Sequence, residues 1–278
     1  MKSFVVITGA TGGLGQAFAR QCATRGWDLF LTGRNKQILE DLSKTLPGEY
    51  GIAVETHPAD LTDIESRDRL FRRIAGMEAA PWMLITVAGL DFEGPFLDRT
   101  RHELVNIARV NVEATLDVTR AVLELRADDR QFRLLTVGSL AGFYPMPYKA
   151  TYAASKAFLM SMSFALREEL RRYGATCTLL APAGLTTNPV SIAEIEAQGV
   201  LGRITTVETD KVVRLAVDAT LAGRPLVVPG IINSLARWVL ELLPRRLVAE
   251  LLGSRWYKVQ TGVPLDKRPR RDGPTSQL

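Results

Sequence analysis

The stretch MKSFVVITGATGGLGQAF, residues 1–18, decides the architecture. Val5, Val6 and Ile7 form a short apolar, β-branched run, and Ala17, Phe18, Arg20 and Gln21 suit a helix, so the unit reads strand, glycine turn, helix. Between strand and helix, Gly9, Gly12, Gly13 and Gly15, with small Ala10, leave the turn nearly bare of side chains. The start of a helix offers unpaired N–H groups and the positive end of its dipole, and missing side chains let a phosphate reach them. Glycine turns also join strands to helices where nothing binds, but the strand-turn-helix setting is the one a dinucleotide site requires. No Gly-Lys-Ser/Thr ending follows, which argues against a loop built for a nucleoside triphosphate. The expected guest is a pyrophosphate.

Outward from this unit the pattern alternates. WDLFLTGR reads as a strand, and QILEDLSKTL as a helix stopped by Pro47-Gly48. GIAVETHPADLTD runs from strand into turn and ESRDRLFRRIAG is a helix. WMLITVAG, FRLLTVGS and ATCTLLAP are further strands, separated by the helical VNIARVNVEATLDVTRAVLEL and ATYAASKAFLMSMSFALREELRRYG. Strands alternating with helices imply parallel βαβ units with right-handed crossovers, hence an α/β, Rossmann-like doubly wound parallel sheet. Ligands of such sheets bind beyond the carboxyl ends of the strands. Those ends are Gly9 to Gly15, Gly33-Arg34, Asp60-Leu61, Ala88-Gly89, Gly138-Ser139 and Pro182 to Thr187.

The 278 residues, 46% apolar and 23% charged, suit one large domain, and no Pro/Ser/Gly-rich linker divides them. The expected division is a dinucleotide-binding and catalytic domain over 1–230, with a substrate lid at about 188–210, amphipathic helices over 231–260, and a disordered tail over 261–278. Much of the net charge of +5 sits in Arg245, Arg246, Lys258 and the tail residues Lys267, Arg268, Arg270 and Arg271. No aromatic interleaving or reading motif accompanies them, so nucleic acid is not an expected partner. Cys22, Cys177, His57 and His102 show no ligand spacing, which leaves metal and disulfide readings poor. The first strand begins almost at Met1, and no apolar run reaches the ~18–20 residues of a membrane span, so a cytoplasmic protein is expected.

Tyr152 and Lys156 stand one turn apart on one helical face. An ammonium beside a phenol favours the phenolate and lowers its pKa from ~10 toward working pH, which suits a general acid/base. A surface pair at this spacing is the ordinary alternative, and the partners decide. Ser139, at the end of the preceding strand, can donate to a carbonyl oxygen beside Tyr152, and Asn111, a poor helix former inside a long helix, can hold a water or a backbone group near Lys156.

On these residues the sequence resembles the short-chain dehydrogenase/reductase family over about residues 3–190. The family's Thr-Gly-x-x-x-Gly-x-Gly is matched by Thr8-Gly9-Ala10-Thr11-Gly12-Gly13-Leu14-Gly15, its Tyr-x-x-x-Lys by Tyr152 and Lys156, its upstream Ser by Ser139 and its helical Asn by Asn111. Asp60-Leu61 matches the Asp that contacts adenine in relatives. Where relatives commonly carry Asn-Asn-Ala-Gly this chain has Thr86-Val87-Ala88-Gly89, and Pro-Gly after the sixth strand becomes Pro182-Ala183-Gly184. Gly12 and Gly13 together also fit the turn of the longer sugar-nucleotide epimerases; chain length and the Ser139-to-Tyr152 arrangement favour the shorter class.

The resemblance implies NADP(H) held by Thr8, Gly9, Thr11, Gly12, Gly13, Leu14, Gly15, Arg34, Asp60, Leu61, Ala88, Gly89, Tyr152, Lys156, Pro182, Gly184 and Thr187. It implies hydride delivery to the carbonyl carbon of a small-molecule ketone or aldehyde, or the reverse from an alcohol. Tyr152 is the implied proton donor, Ser139 orients the oxygen, Lys156 holds the nicotinamide ribose, and Asn111 supports a relay water. A homodimer or homotetramer is expected. Gly33 followed by Arg34 at the end of the second strand favours a 2′-phosphate over a free 2′-hydroxyl. A dinucleotide-bound sensor or scaffold without turnover is the alternative, though the whole catalytic set is retained.

Beyond the matched core, Leu235, Trp238, Val239, Leu242 and Leu243 recur at helical spacing, and Leu247, Val248, Leu251 and Leu252 repeat the pattern after Pro244. Pro244 predicts two amphipathic helices. The stripes pack on the domain or a second subunit, or they rest on a membrane through 231–258, with Arg237, Arg245, Arg246, Arg255 and Lys258 facing anionic lipid and Trp238 and Trp256 at the interface.

Overall fold

β1 (Phe4–Thr8), β2 (Asp28–Gly33), β3 (Val54–Pro58), β4 (Pro81–Thr86), β5 (Phe132–Val137), β6 (Ala175–Leu180) and β7 (Leu226–Val227) form one seven-stranded sheet in the order 3-2-1-4-5-6-7. Every neighbouring pair is parallel. The computed structural model describes residues 3–127, 131–185 and 205–261. After β3 the chain crosses back to pair β4 with β1, Ile7 opposite Ile85 and Thr8 opposite Thr86. The connections after β1 and β4 therefore part to opposite faces, and a crevice opens where the strand order reverses.

β1 explains the two-sided core. Val5 and Ile7 face a cluster with Phe18 and Cys22 of α1 (Gly13–Ala23), Leu39 and Leu42 of α2 (Lys36–Tyr50), and Val213 and Val217 of α7 (Thr209–Leu221). Phe4 and Val6 face the other, with Leu70 and Ile74 of α3 (Ile64–Ala75) and Val118 and Val122 of α5 (Thr115–Glu124). A strand buried on both faces loses period-two alternation and reads as a continuous apolar run. Cys22 and Cys177 are free in this core, and burial pushes both thiols up to about 12.

Four local features differ from the sequence reading. α2 passes through Pro47 and Gly48 and ends at Gly51, whose left-handed backbone caps the helix. Proline in the last turn sacrifices one hydrogen bond without ending the helix. The expected continuous helix over 105–125 is three pieces: α4 (Arg101–Ala108), a π-helical turn (Arg109–Ala114), and α5. β7 is only two residues long, too short to show a period, and is fixed by Leu179 and Ala181 N–H donating to the Pro225 and Val227 carbonyls. α7 begins inside the segment expected to end the lid, and Val207 pairs with Leu185 just before it. Residues 188–204 of that lid and 262–278 of the tail lie outside the described residues.

After α6 (Ala150–Leu170), β6, α7 and β7, the chain ends in α8 (Ile231–Leu242) and α9 (Arg245–Thr261) on either side of Pro244. Asn233 anchors α8 by donating to the Thr205 and Pro229 carbonyls at 2.8 and 2.7 Å. Val248 and Trp256 bury α9 against the body. Among the described residues the α8 stripe stays uncovered: Leu235, Trp238, Val239 and Leu242 are 60, 60, 59 and 82% exposed. Among the described residues no helix is long and apolar enough to cross a membrane.

Candidate active site

The turn after β1 is built by close backbone approach. Gly9 has φ +65°, and a Cβ there would lie 2.7 Å from the Ala88 nitrogen. Gly9 O accepts from Gly12 N–H at 3.0 Å, and Ala10 N–H donates to Thr32 O at 2.9 Å. Thr8 lies beneath the floor, where its Oγ1 accepts from the Val87 and Ala88 N–H groups at 3.2 and 3.3 Å. The stretch after β4 is thus tied to the turn after β1.

Above this floor opens a cavity of about 400 Å³. Gly9, Thr11, Gly12, Gly13, Leu14 and Gly15 line one side, Gly33, Arg34, Asp60 and Leu61 a second, and Ala88, Gly89 and Leu90 a third. A Cβ on Gly12 would meet nothing nearer than Gly9 O at 3.5 Å, so the protein itself leaves the space above Gly12 open. Asp60 Oδ1 accepts from the Thr62 N–H and hydroxyl at 2.9 and 2.8 Å; these bonds, with nearby Arg34, hold its carboxyl below the usual range against a smaller opposing effect of burial. Backbone N–H groups at a helix start, an open glycine surface and Arg34 at the rim fit a dinucleotide phosphate. Pro182 and Gly184 lie outside the cavity wall, at the end of β6, where Pro182 O accepts from Leu140 N–H at 3.0 Å. Thr187 falls outside the described residues.

Beyond Gly89 the four chemistry-bearing residues come together. Lys156, buried in α6, donates from Nζ to Val137 O at 2.9 Å, and a Cβ on Gly89 would lie 3.5 Å from that Nζ. Lys156 therefore borders the cavity from behind Gly89. The π-turn aims Asn111 inward with no exposed surface. Its Nδ2 donates to Leu90 O and Ser155 Oγ, both at 2.9 Å, and its Oδ1 accepts from Leu90 N–H at 2.8 Å. Asn111 thus holds a backbone group and ties it to α6. Ser139 starts a short 3₁₀ turn (Leu140–Gly142), accepts from Ala141 N–H at 3.1 Å, and its side chain favours the ionised form of Tyr152.

The electrostatics of Tyr152 run opposite to the sequence expectation. Burial and the Asp91 carboxylate push the phenol up to about 12, against smaller downward pulls from the Ser139 side chain and Lys149. Lys156 is itself pushed down to about 8 by burial, which weakens the ammonium expected to tune the phenol. Lys149 is the second cation at the ring, 5.6 Å from its centre, against 5.7 Å for Lys156.

A family model of the short chain dehydrogenases matches residues 3–196, from the first strand through Tyr152 and Lys156. The chain belongs to that family. A very-long-chain 3-oxoacyl-CoA reductase of Neurospora crassa is 37% identical over 190 residues, 66% of this chain and 57% of its own. One from Laccaria bicolor is 34% identical over 178 residues, 63% of this chain and 52% of its own. The chain spans about half the length of these curated relatives. Among solved structures, a short-chain dehydrogenase from Sphingobium yanoikuyae in complex with NADPH aligns with a TM-score of 0.76 at 27% identity, covering 97% of this chain and 100% of that one. A structure described for 7β-hydroxysteroid dehydrogenase stereoselectivity aligns with a TM-score of 0.82 at 21% identity, over 91% and 97% of the two chains, a likeness of fold.

In this short-chain dehydrogenase the departure at Thr86-Val87 is absorbed by Thr8, whose hydroxyl takes the N–H groups of Val87 and Ala88. Two positioning groups carry no local sequence signal. Arg67, 3% exposed, donates to Leu61 O at 2.7 Å and to Glu113 and Asp117 at 2.6 Å, joining the cavity wall to the π-turn. Lys149 bridges Asp91 at 2.7 Å and Glu93 at 3.2 Å.

Proposed function

We propose that this chain is an NADPH-dependent oxidoreductase that reduces an apolar ketone or aldehyde to the alcohol, or runs the reverse. The observation that carries the reading is buried Lys156, whose Nζ lies 5.7 Å from the centre of the Tyr152 ring and within reach of Gly89 at the cavity wall. Bound in the cavity, the cofactor would supply the hydride. Tyr152, kept protonated by its surroundings, gives its proton to the carbonyl oxygen; Ser139 donates to and orients that oxygen; Lys156 holds the ribose hydroxyls and accepts the charge change at Tyr152. Asn111 keeps Leu90 and α6 in register and backs the proton path. The names of the relatives make 3-oxoacyl thioesters of long chain the first substrates to try, followed by bulky apolar ketones. NADPH oxidation with such a panel tests the proposal. A protein that binds NADPH and oxidises none of it is instead a sensor or scaffold.

Cofactor choice rests on the end of β2. A Cβ on Gly33 would lie 2.6 Å from Thr11 Oγ1, so an acidic residue suited to NAD would displace Thr11, whereas Arg34 stands exposed at the cavity rim. NADPH should bind more tightly than NADH. Arg34→Ala should narrow the gap by about tenfold, near the ~1.5 kcal/mol of a charge-assisted hydrogen bond. Fluorescence titration of both cofactors decides; equal affinities in the unsubstituted protein refute the assignment.

The same reading assigns the uncovered α8 face to an anionic lipid surface. Trp238 stands among the exposed leucines, and Arg245 and Arg246 are exposed just beyond. The full-length protein should float with anionic vesicles at low salt, and Leu242→Glu should release it. Protein that stays unbound, and elutes as a dimer that Leu242→Glu splits, gives this face to a second copy.

A further inference from the structure

Tyr152 stands between two lysines, Lys149 at the N-cap of α6 just before it and Lys156 one turn after it within the helix. The two are held differently. Lys156 donates to a backbone carbonyl, whereas Lys149, with only 11% of its side chain exposed, is gripped by two carboxylates at 2.7 and 3.2 Å. Its Nζ lies 5.6 Å from the ring centres of both Tyr152 and Trp256, so α9 covers it. The backbone that carries Glu93 is held in turn: Gly94 N–H donates to Tyr148 O at 2.8 Å, and Arg99 donates to the Glu93 carbonyl. Ion pairs removed from water regain little net stability, so a tied-down cluster against a reactive phenol calls for another explanation.

We propose that Lys149, gripped by Asp91 and Glu93 and covered by Trp256, is a positioning residue that holds the Tyr152 ring from its amino-terminal side and, with Asp91, sets the charge the phenol feels. The inference rests on the reduction reading above. Burial and the Asp91 carboxylate keep the phenol protonated and ready to give a proton to a carbonyl oxygen, and the Lys149 ammonium paired with Asp91 pulls the other way. The charged groups facing it are Asp91 and Glu93 from the segment after β4, Lys149 at the N-cap of α6 and Lys156 within α6; Ser139 contributes a hydroxyl from beyond β5 and α9 the neutral Trp256. Removing Asp91's charge must lower the pKa of Tyr152, and removing Lys149's must raise it.

The test uses the full-length protein with Asp91→Asn, Lys149→Met and Lys149→Arg. In alcohol oxidation, where Tyr152 must accept a proton, the pH midpoint should fall in Asp91→Asn and rise in Lys149→Met, each by about one unit. Lys149→Met should also lower kcat about tenfold while NADPH affinity holds, with Lys149→Arg restoring most of the loss. Midpoints that stay put, or that move in the same direction in both charge-removing variants, overturn the proposal. A second arm needs no turnover: the tyrosinate absorbance of Asp91→Asn, less that of its Tyr152→Phe counterpart, should develop at lower pH than the same difference in the unsubstituted background. If the unsubstituted protein reduces nothing, the reduction reading fails, and this titration still decides whether Asp91 sets the charge at Tyr152.

Discussion

Replacing Tyr152 with Phe should lower turnover by about 10²–10⁴-fold, the span of a lost general acid, while NADPH binding stays nearly intact. The variant removes one oxygen and leaves the ring between Lys149 and Lys156, so the cavity wall keeps its shape. Lys156→Ala should damage both measurements, because its Nζ is bonded to Val137 O and lies next to Gly89, and the loss empties a buried site as well as removing charge. Ser139→Ala should act chiefly on turnover, because its hydroxyl is the group that orients the substrate oxygen beside Tyr152. Steady-state NADPH oxidation and NADPH fluorescence titration separate the three. Near-normal rates in Tyr152→Phe would mean that the proton comes from elsewhere, and the mechanism would fail.

The parts of this site that were legible in the sequence are those whose causes are local. Gly9 and Gly15 are needed because atoms a few residues away, or on the adjoining strand, crowd them, and the Tyr152-to-Lys156 spacing is one helical turn whatever the fold around it. The parallel sheet followed from strand and helix alternation in the same way. What stayed hidden depends on pairings across long stretches of chain. Arg67 meets Glu113 and Asp117 46 and 50 residues away, and Lys149 meets Asp91 58 residues away, with no period linking them. The π-turn that aims Asn111 inward is a mismatch between two helices, which an apolar pattern averaged over the region cannot register. The direction of the Tyr152 shift differs from the sequence expectation for a related reason: the neighbouring Lys156 is visible in sequence, whereas burial and the Asp91 charge come from tertiary structure.

Gly12 and Gly15 should differ in stability but not in cofactor loss when the same methyl is added, and the contrast tests the cradle directly. At Gly15 a Cβ would lie 2.1 Å from Gly9 O and 2.8 Å from Ala10 Cα, both backbone, so no side chain can move aside. Gly15→Ala must therefore push α1 off the turn, at a cost of ~3 kcal/mol by overpacking, which for a domain of this size lowers Tm by roughly 6–12 °C. NADPH binding should go with it. Gly12 has φ −82°, which alanine adopts freely, and its nearest obstacle is Gly9 O at 3.5 Å. Gly12→Ala should leave Tm almost unchanged and weaken NADPH by about tenfold or more, the ~1.4 kcal/mol or more of close approach denied to a phosphate. Thermal unfolding and cofactor titration on both variants check this. A Gly12→Ala protein with full NADPH affinity would mean that the pyrophosphate does not lie over this turn; a Gly15→Ala protein with unchanged Tm would mean that the turn relaxes, and that the crowding at Gly15 is not what requires glycine there.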